Sequence, residues 1–121
     1  EEDLSAKNGY RCKLDGIANP DNISYLKDSN SLAIGEDSDL HENSVVWSYN
    51  LTDQSLTRVL SAPLDAENTS TFWHSDVNGF SYLINVAQHP NKNQMVEPML
   101  KESQAGYLGP IRLKQSTLST K

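Results

Sequence analysis

Cysteine and long hydrophobic runs are the two things this sequence has little of. The single cysteine, Cys12, excludes an internal disulfide and any Cys-Cys metal motif, and we expect it to be a half-buried free thiol. No apolar run approaches the roughly 18 residues that a membrane span needs, and no cationic segment precedes an apolar run near the start. Hydrophobic residues make up only 36% of the chain. We therefore expect no membrane segment, no signal peptide within the sequence, and a thin core.

Basic residues are also scarce. Ten Lys and Arg stand against 16 Asp and Glu, which gives a formal charge of -6. Nucleic-acid binding requires clustered positive charge, so no nucleic-acid partner is expected. The sequence has no nucleophile elbow, no glycine-rich phosphate loop and no HExxH motif. His41, His74 and His89 lack ligand spacing, so a conventional zinc site is not expected either.

The chain contains a succession of short β-type runs separated by turn formers, without a sustained helical period. We predict no helix longer than about two turns before residue 90. Asn78-Gly79 is a strong type I′ turn signal and predicts a hairpin. Strands are predicted at 22–26, 31–36, 44–51, 56–61, 71–76 and 80–87, with a further strand around 111–113.

Two all-β architectures fit this cadence. One is an antiparallel four-stranded blade followed by part of a second blade, as in a fragment of a β-propeller; the other is a small sandwich or barrel. The propeller interpretation divides the chain into a lead-in segment (1–15), a first blade (16–63), the start of the next blade (64–91) and an irregular C-terminal segment (92–121). Because a single blade cannot bury both faces, we expect a homo-oligomer or association with remaining blades.

Large side chains in the strand runs form the predicted core, and most of them are expected to be buried. They are Ile23, Tyr25, Leu32, Ile34, Val46, Trp47, Tyr49, Val59, Phe72, Trp73, Tyr82, Ile84 and Val86.

Acidic and amide residues recur where the predicted strands begin or end, and their placement favours the propeller. The stretches are NPDN (19–22), GED (35–37) and DAEN (65–68). Strand ends in a propeller point towards one axial site, where carboxylates from different blades can converge on a cation. Such oxygens are hard ligands suited to calcium, ferric iron or magnesium. The alternative is that Asp21, Glu36, Asp37 and Glu67 are simply solvated loop acids.

These stretches carry a family resemblance. GIANPDNISYLKDSNSLAIGEDSDLHENSVVWSYNL, followed by ENTSTFWHSDVNGFSYLINVAQHPN, resembles the C-terminal part of the PhoX-type alkaline phosphatases, bacterial propeller enzymes with an iron and calcium centre. The resemblance covers about residues 15 to 91. It implies a secreted enzyme, periplasmic or extracellular, that hydrolyses phosphate monoesters.

The resemblance also implies roles for individual residues. Asp37 matches the carboxylate that follows the second strand of such a blade on the metal cluster, with Glu36 as the adjacent candidate. Glu67 matches the glutamate before the next blade, and Asp21 and Asn22 fit a supporting turn or a calcium contact. His89 is a candidate for substrate contact, although a structural role is the simpler interpretation. No catalytic residue is assigned.

The chain departs from the family pattern in two respects. The early blades of the family, with their arginine and glutamates for phosphate and metal, have no counterpart in this sequence. The family's metal-bound cysteine lies in a TCEE-like motif that is missing here, and Cys12 in GYRCKLDG does not match it. The chain therefore resembles part of a larger phosphatase and is expected to be inactive alone. A non-catalytic, self-associating propeller fragment and a calcium-dependent lactonase or esterase propeller are the alternatives.

Overall fold

The computed structural model describes residues 12–112, and this part of the chain is all-β. Seven strands follow one another, and the only helical elements among the described residues are two short 3-10 turns, at Lys27–Ser29 and Pro98–Lys101. The strands are β1 (Pro20–Leu26), β2 (Ser31–Glu36), β3 (Val45–Asn50), β4 (Leu56–Ser61), β5 (Glu67–Val77), β6 (Phe80–Gln88) and β7 (Gln104–Ile111). The predicted all-β class is confirmed, and six strands lie at or close to their predicted positions.

The strands form two antiparallel sheets in simple meander order. The first sheet is β1-β2-β3-β4 and the second is β5-β6-β7. The β5–β6 hairpin turns at Asn78 and Gly79, both with positive φ, as a type I′ turn requires. The second sheet extends beyond the predicted boundary at residue 91, because β7 comes from the segment that we expected to be mostly irregular. This last strand covers 104–111, several residues before the predicted position.

The two sheets pack face to face through a small apolar cluster. Leu26, Ala33 and Val46 of the first sheet meet Trp73 and Leu83 of the second, and these residues form the buried core. We call these the inner faces of the two sheets. Burial of this apolar surface is the main favourable contribution to the packing.

Polar side chains of β1 hold β5 against the first sheet. The Asn22 amide donates to the Asn68 carbonyl at 2.7 Å and accepts from the Thr71 N–H at 3.2 Å, and the Ser24 hydroxyl accepts from the Trp73 N–H. At Gly35 a Cβ atom would lie within 2.9 Å of three atoms, the Asn22 Oδ1, the Asn68 carbonyl oxygen and the Thr71 Oγ1. Only glycine lets the two sheets approach so closely here.

The predicted core is wrong in its main feature. Of the expected large side chains only Val46, Trp47 and Trp73 are buried, whereas Ile23 is 62% and Phe72 is 55% exposed. The reason is that strand alternation places most of these residues on the outer faces, which no described residue of the chain fully covers. The outer face of the first sheet includes Ile23, Tyr25, Leu32, Ile34 and Tyr49, and that of the second includes Phe72, His74, Tyr82, Ile84 and Tyr107.

Two neighbouring residues of β6 provide a matched test of this face assignment. Leu83 is 2% exposed on the inner face, whereas Ile84 is half-buried on the outer face. We expect Leu83→Ala to lower the free energy of unfolding by about 2–5 kcal/mol, because it opens a cavity between the sheets. Ile84→Ala is expected to cost roughly 1 kcal/mol. Urea denaturation followed by tryptophan fluorescence measures both, and equal losses would contradict the assignment.

Candidate functional site

Strand β2 ends in two consecutive carboxylates with opposite surroundings. Glu36 is completely buried, whereas the next residue, Asp37, is exposed. Side chains alternate along a strand, so the two carboxylates leave the chain on opposite sides. The sequence predicted both as metal ligands, and the structure gives them separate environments.

The Glu36 carboxylate accepts four hydrogen bonds. Its Oε1 accepts from the Ala18 N–H at 2.8 Å and from the Trp47 indole N–H at 2.6 Å. Its Oε2 accepts from the Val45 N–H at 2.8 Å and lies 2.9 Å from His41 Nδ1. A carboxylate has about four lone-pair sites, so this one is fully used by the protein. Glu36 therefore joins β2, β3 and the segment before β1.

His41 joins this buried carboxylate to the segment before β1. Its Nε2 lies 2.9 Å from the Lys13 carbonyl oxygen, which can only accept, so Nε2 donates. Its Nδ1 lies 2.9 Å from Glu36 Oε2, and one proton must lie between these two atoms because two bare acceptors would repel each other at this distance. His41 and Glu36 therefore form a buried hydrogen-bonded pair.

Asp37 lies on an acidic edge formed by the ends of several strands. Burial raises the pKa of the Asp37 carboxyl above its usual range, and the negative charges of Glu67, Asp21 and Asp39 raise it further. Two of the sequence-predicted site residues, Asp21 of β1 and Glu67 at the start of β5, therefore act electrostatically on a third, Asp37, which follows β2. We refer to Asp21, Asp37, Asp39 and Glu67 as the acidic edge.

Lys92 partly neutralises this edge. Its ammonium lies 2.9 Å from Glu67 Oε1 and 3.1 Å from Asp39 Oδ1, and it lowers the pKa of Asp37 against the stronger effect of burial. Hydrogen bonding to Glu67 raises the pKa of Lys92 itself, although burial opposes this. The ammonium joins the segment after β6 to the loop after β2. A side-chain cation thus stands between two of the edge carboxylates.

The remaining predicted residues have structural surroundings. Both polar atoms of the Asn22 side chain bond to the backbone of β5. His89 is exposed at the end of β6 with φ of 51°, and its N–H donates to the Ser103 hydroxyl at 3.3 Å. Cys12 is a buried free thiol, as its solitary occurrence predicts.

Behind the acidic edge lies a buried amide cluster. Asn85 donates to Asn68 Oδ1 at 2.7 Å and accepts from the Thr71 hydroxyl at 2.8 Å. Asn68 is fully buried, yet its Nδ2 has no hydrogen-bond partner in the structure. Burial of the Asn68 Nδ2 group therefore costs free energy that no hydrogen bond to this group compensates.

Glu36 and all members of the acidic edge except Asp39 are acids for which the sequence predicts iron or calcium binding. Among residues 12–112 no group of three or more His, Cys, Asp and Glu side chains is arranged to hold a metal ion. Glu36 is saturated by protein donors, and Lys92 occupies the space between Glu67 and Asp39. The described residues thus do not by themselves form a complete iron or calcium site, and we derive no catalytic step through a metal. No helix in this part of the chain is long and apolar enough to cross a membrane.

Sequence reasoning missed His41, Trp47 and Lys92 as partners of the predicted acids. His41 was set aside because the three histidines lack metal-ligand spacing. The sequence did contain a signal for the buried pair: His41 comes five residues after Glu36, which ends a strand, and Trp47 lies on the next strand. Lys92 had no such signal, because its pairing with Asp39 and Glu67 depends on how the two sheets meet.

Known proteins offer no independent assignment of this site. Comparison with protein-family models, curated proteins and solved structures finds no match to the chain. The functional interpretation therefore depends on the geometry above and on the motif resemblance.

Substitution of the buried glutamate tests its structural role. Glu36→Gln replaces an acceptor oxygen with an amide that faces N–H donors, and it removes the carboxylate that pairs with the buried His41 ring. We expect a loss of about 3–5 kcal/mol in the free energy of unfolding. Glu42→Gln, an exposed acid in the following loop, is the control and should change little. A loss below about 1 kcal/mol for Glu36→Gln would contradict the role assigned to the network.

The raised pKa of Asp37 predicts a pH dependence of stability. A carboxyl with a higher pKa in the folded chain than in the unfolded chain favours folding less as the pH rises through those values. Asp37→Asn should therefore be more stable than the wild type at about pH 7, and the difference should vanish near about pH 3. Thermal unfolding at both pH values measures it. A variant that is less stable than the wild type at neutral pH would show that the Asp37 charge is stabilising.

Proposed function

We propose that this chain is the C-terminal part of a secreted, metal-dependent alkaline phosphatase of the PhoX type, which hydrolyses phosphate monoesters. In this proposal Asp21, Asp37 and Glu67 contribute part of the negative charge of a centre whose other ligands lie elsewhere in a longer polypeptide. The chain alone is inactive. Iron and calcium are the metals, and the periplasm or the extracellular space is the location, that the family resemblance implies.

One observation carries the proposal. Three acids selected for their positions at strand ends come together at one edge of the structure, where burial and mutual repulsion raise the pKa of Asp37. Uncompensated negative charge of this kind is relieved by a cation. Lys92 supplies one positive charge to the edge, against four carboxylates.

The role of these residues is to supply charge and position. Carboxylates can hold cations close together while cancelling part of their repulsion, and bound cations would neutralise the oxygens of a phosphate monoester. Glu36 belongs to the support of the site, because its four hydrogen bonds fix the strand end from which Asp37 projects. Asn22 has a similar role, since it holds the start of β5 and thereby Glu67.

The propeller architecture is supported by the distribution of apolar side chains. The first sheet keeps small residues such as Ala33 and Ser31 on its inner face, and both sheets leave larger ones such as Ile23, Tyr25 and Phe72 exposed on their outer faces. Exposed apolar faces of this extent are typical of interaction surfaces. Adjacent blades of a longer propeller, one on each side, would cover both faces.

A second candidate function is a non-catalytic, self-associating module. The observation in its favour is that Lys92 already pairs with Glu67 and Asp39, so the acidic edge has a cation of its own. In that case the two outer faces would bind further copies of the chain, and the acids would serve only to join the sheets.

The test is made in the longer polypeptide that contains this chain. We expect Asp37→Asn and Glu67→Gln to lower metal content and turnover of an aryl phosphate together, by about 10-fold or more, because both remove charge without changing size. Glu102→Gln, at an exposed acid outside the edge, is the control. Wild-type metal content and turnover in both edge variants would reject the metal-centre role. Self-association of the isolated chain by light scattering would then support the second candidate.

A further inference from the structure

The two sheets of the described region have unequal numbers of strands. The first has four and the second three, and β7 is the last strand of the second. Six of the eight residues of β7 are exposed, and the strand contains no charged side chain. Natural edge strands are commonly protected by charges or by proline. Pro110 gives this protection near the end of β7, but residues 104–108 contain neither a charge nor a proline. On the side that no described residue pairs with, these residues present backbone N–H and C=O groups with little to prevent pairing.

A groove lies beside this edge, in the position that a fourth strand of the second sheet would border. It has a volume of about 290 Å³ and is bounded on one side by Leu60 to Pro63, at the end of β4, and on the other by residues 104–108 of β7. Its floor includes Leu83, which belongs to the buried core between the sheets. Leu60 packs against that same core. The groove is thus a continuation of the existing interface between the sheets.

We propose that this groove binds an extended, uncharged peptide segment of a partner polypeptide, which pairs with the free edge of β7 as an added strand. Alternate side chains of the segment would enter the groove and contact Leu60, Leu83 and Leu108. Strand addition of this kind takes its affinity from main-chain hydrogen bonds and its specificity from the pockets that receive alternate side chains. The inference goes beyond the proposed function and does not depend on it.

The chemistry of the lining specifies the segment. Every residue that lines the groove is uncharged, and most are apolar. A charged side chain placed there would be desolvated without a partner, which is strongly unfavourable. Side chains of the segment that face the groove are therefore apolar or small.

A second copy of the chain fits this edge poorly. Antiparallel pairing of two β7 strands relates the copies by a two-fold axis perpendicular to the sheet, which brings both β4 strands to the same side. Because β4 already bounds the groove, the β4 strand of the second copy would compete for the space beside it. A single extended segment has no such obstruction.

The experiment uses the full chain and a synthetic peptide of residues 54–63, which contains β4, the fourth strand of the first sheet. The peptide carries Arg58→Thr, which removes its only charged side chain. Two-dimensional NMR of the labelled protein should show saturable shifts in β7. Amide exchange on the free side of β7 should slow about tenfold at a peptide concentration about ten times Kd. The same peptide with Leu60→Asp should bind at least about tenfold more weakly.

Variants of the protein locate the binding. Leu108→Lys and Leu60→Lys, on opposite walls of the groove, should each weaken peptide binding, whereas Phe72→Lys on the outer face should not. The spectrum of each variant reports whether it is folded, and one folded groove variant is sufficient. Absence of saturable shifts, or weakening by Phe72→Lys alone, would overturn the proposal. It would also be overturned by β7 amides already protected without peptide, since another part of the chain or a second copy would then occupy the edge.

Discussion

The buried carboxylate of Glu36 is the interaction on which the local structure around the candidate site depends. It joins the segment before β1, the end of β2 and the start of β3 through four hydrogen bonds, one of them to the buried His41 ring. A charge so deeply buried is tolerated only because every lone pair has a donor. The acidic edge begins at the next residue, Asp37. The hydrogen bonds of the buried Glu36 therefore fix the backbone from which the exposed Asp37 side chain projects.

The distribution of side-chain size explains why a chain with several aromatic and branched strand residues has so small a core. The faces that meet are lined by residues such as Ala33, Gly35 and Ser24, which let the sheets approach closely enough for side chains of β1 to bond to the backbone of β5. Many of the larger residues, such as Ile23, Tyr25 and Phe72, are left on the two outer faces. Close approach between the sheets and exposed outer faces are thus consequences of the same alternation.

The acidic edge combines this packing with electrostatics. Because β5 lies directly against β1 and β2, Glu67 acts on Asp37 although it comes about thirty residues later in the chain, and Asp21 of β1 acts on the same carboxyl. Repulsion among them is reduced by Lys92, which reaches across from the segment after β6. The acidic edge is therefore a region of excess negative charge that is held together by the contact between the sheets. Because Lys92 already pairs with two of its carboxylates, the edge needs further ligands from other residues to bind a metal ion.

Alternation of apolar residues and the turn signals determined the first six strands, the antiparallel order and the Asn78-Gly79 hairpin, because these depend on local backbone preferences. They did not locate β7, which lies several residues before its predicted position. The strand-end positions of Asp21, Asp37 and Glu67 were likewise readable from the sequence. Only the tertiary structure decided which parts of each face are covered, so that Trp47 is buried although it shares a face with the half-buried Ile34. It also decided that Glu36 is consumed by His41 and Trp47 and that Lys92 joins the edge. These outcomes depend on contacts between residues far apart in the chain, and alternation within one strand carries no information about what will lie opposite it.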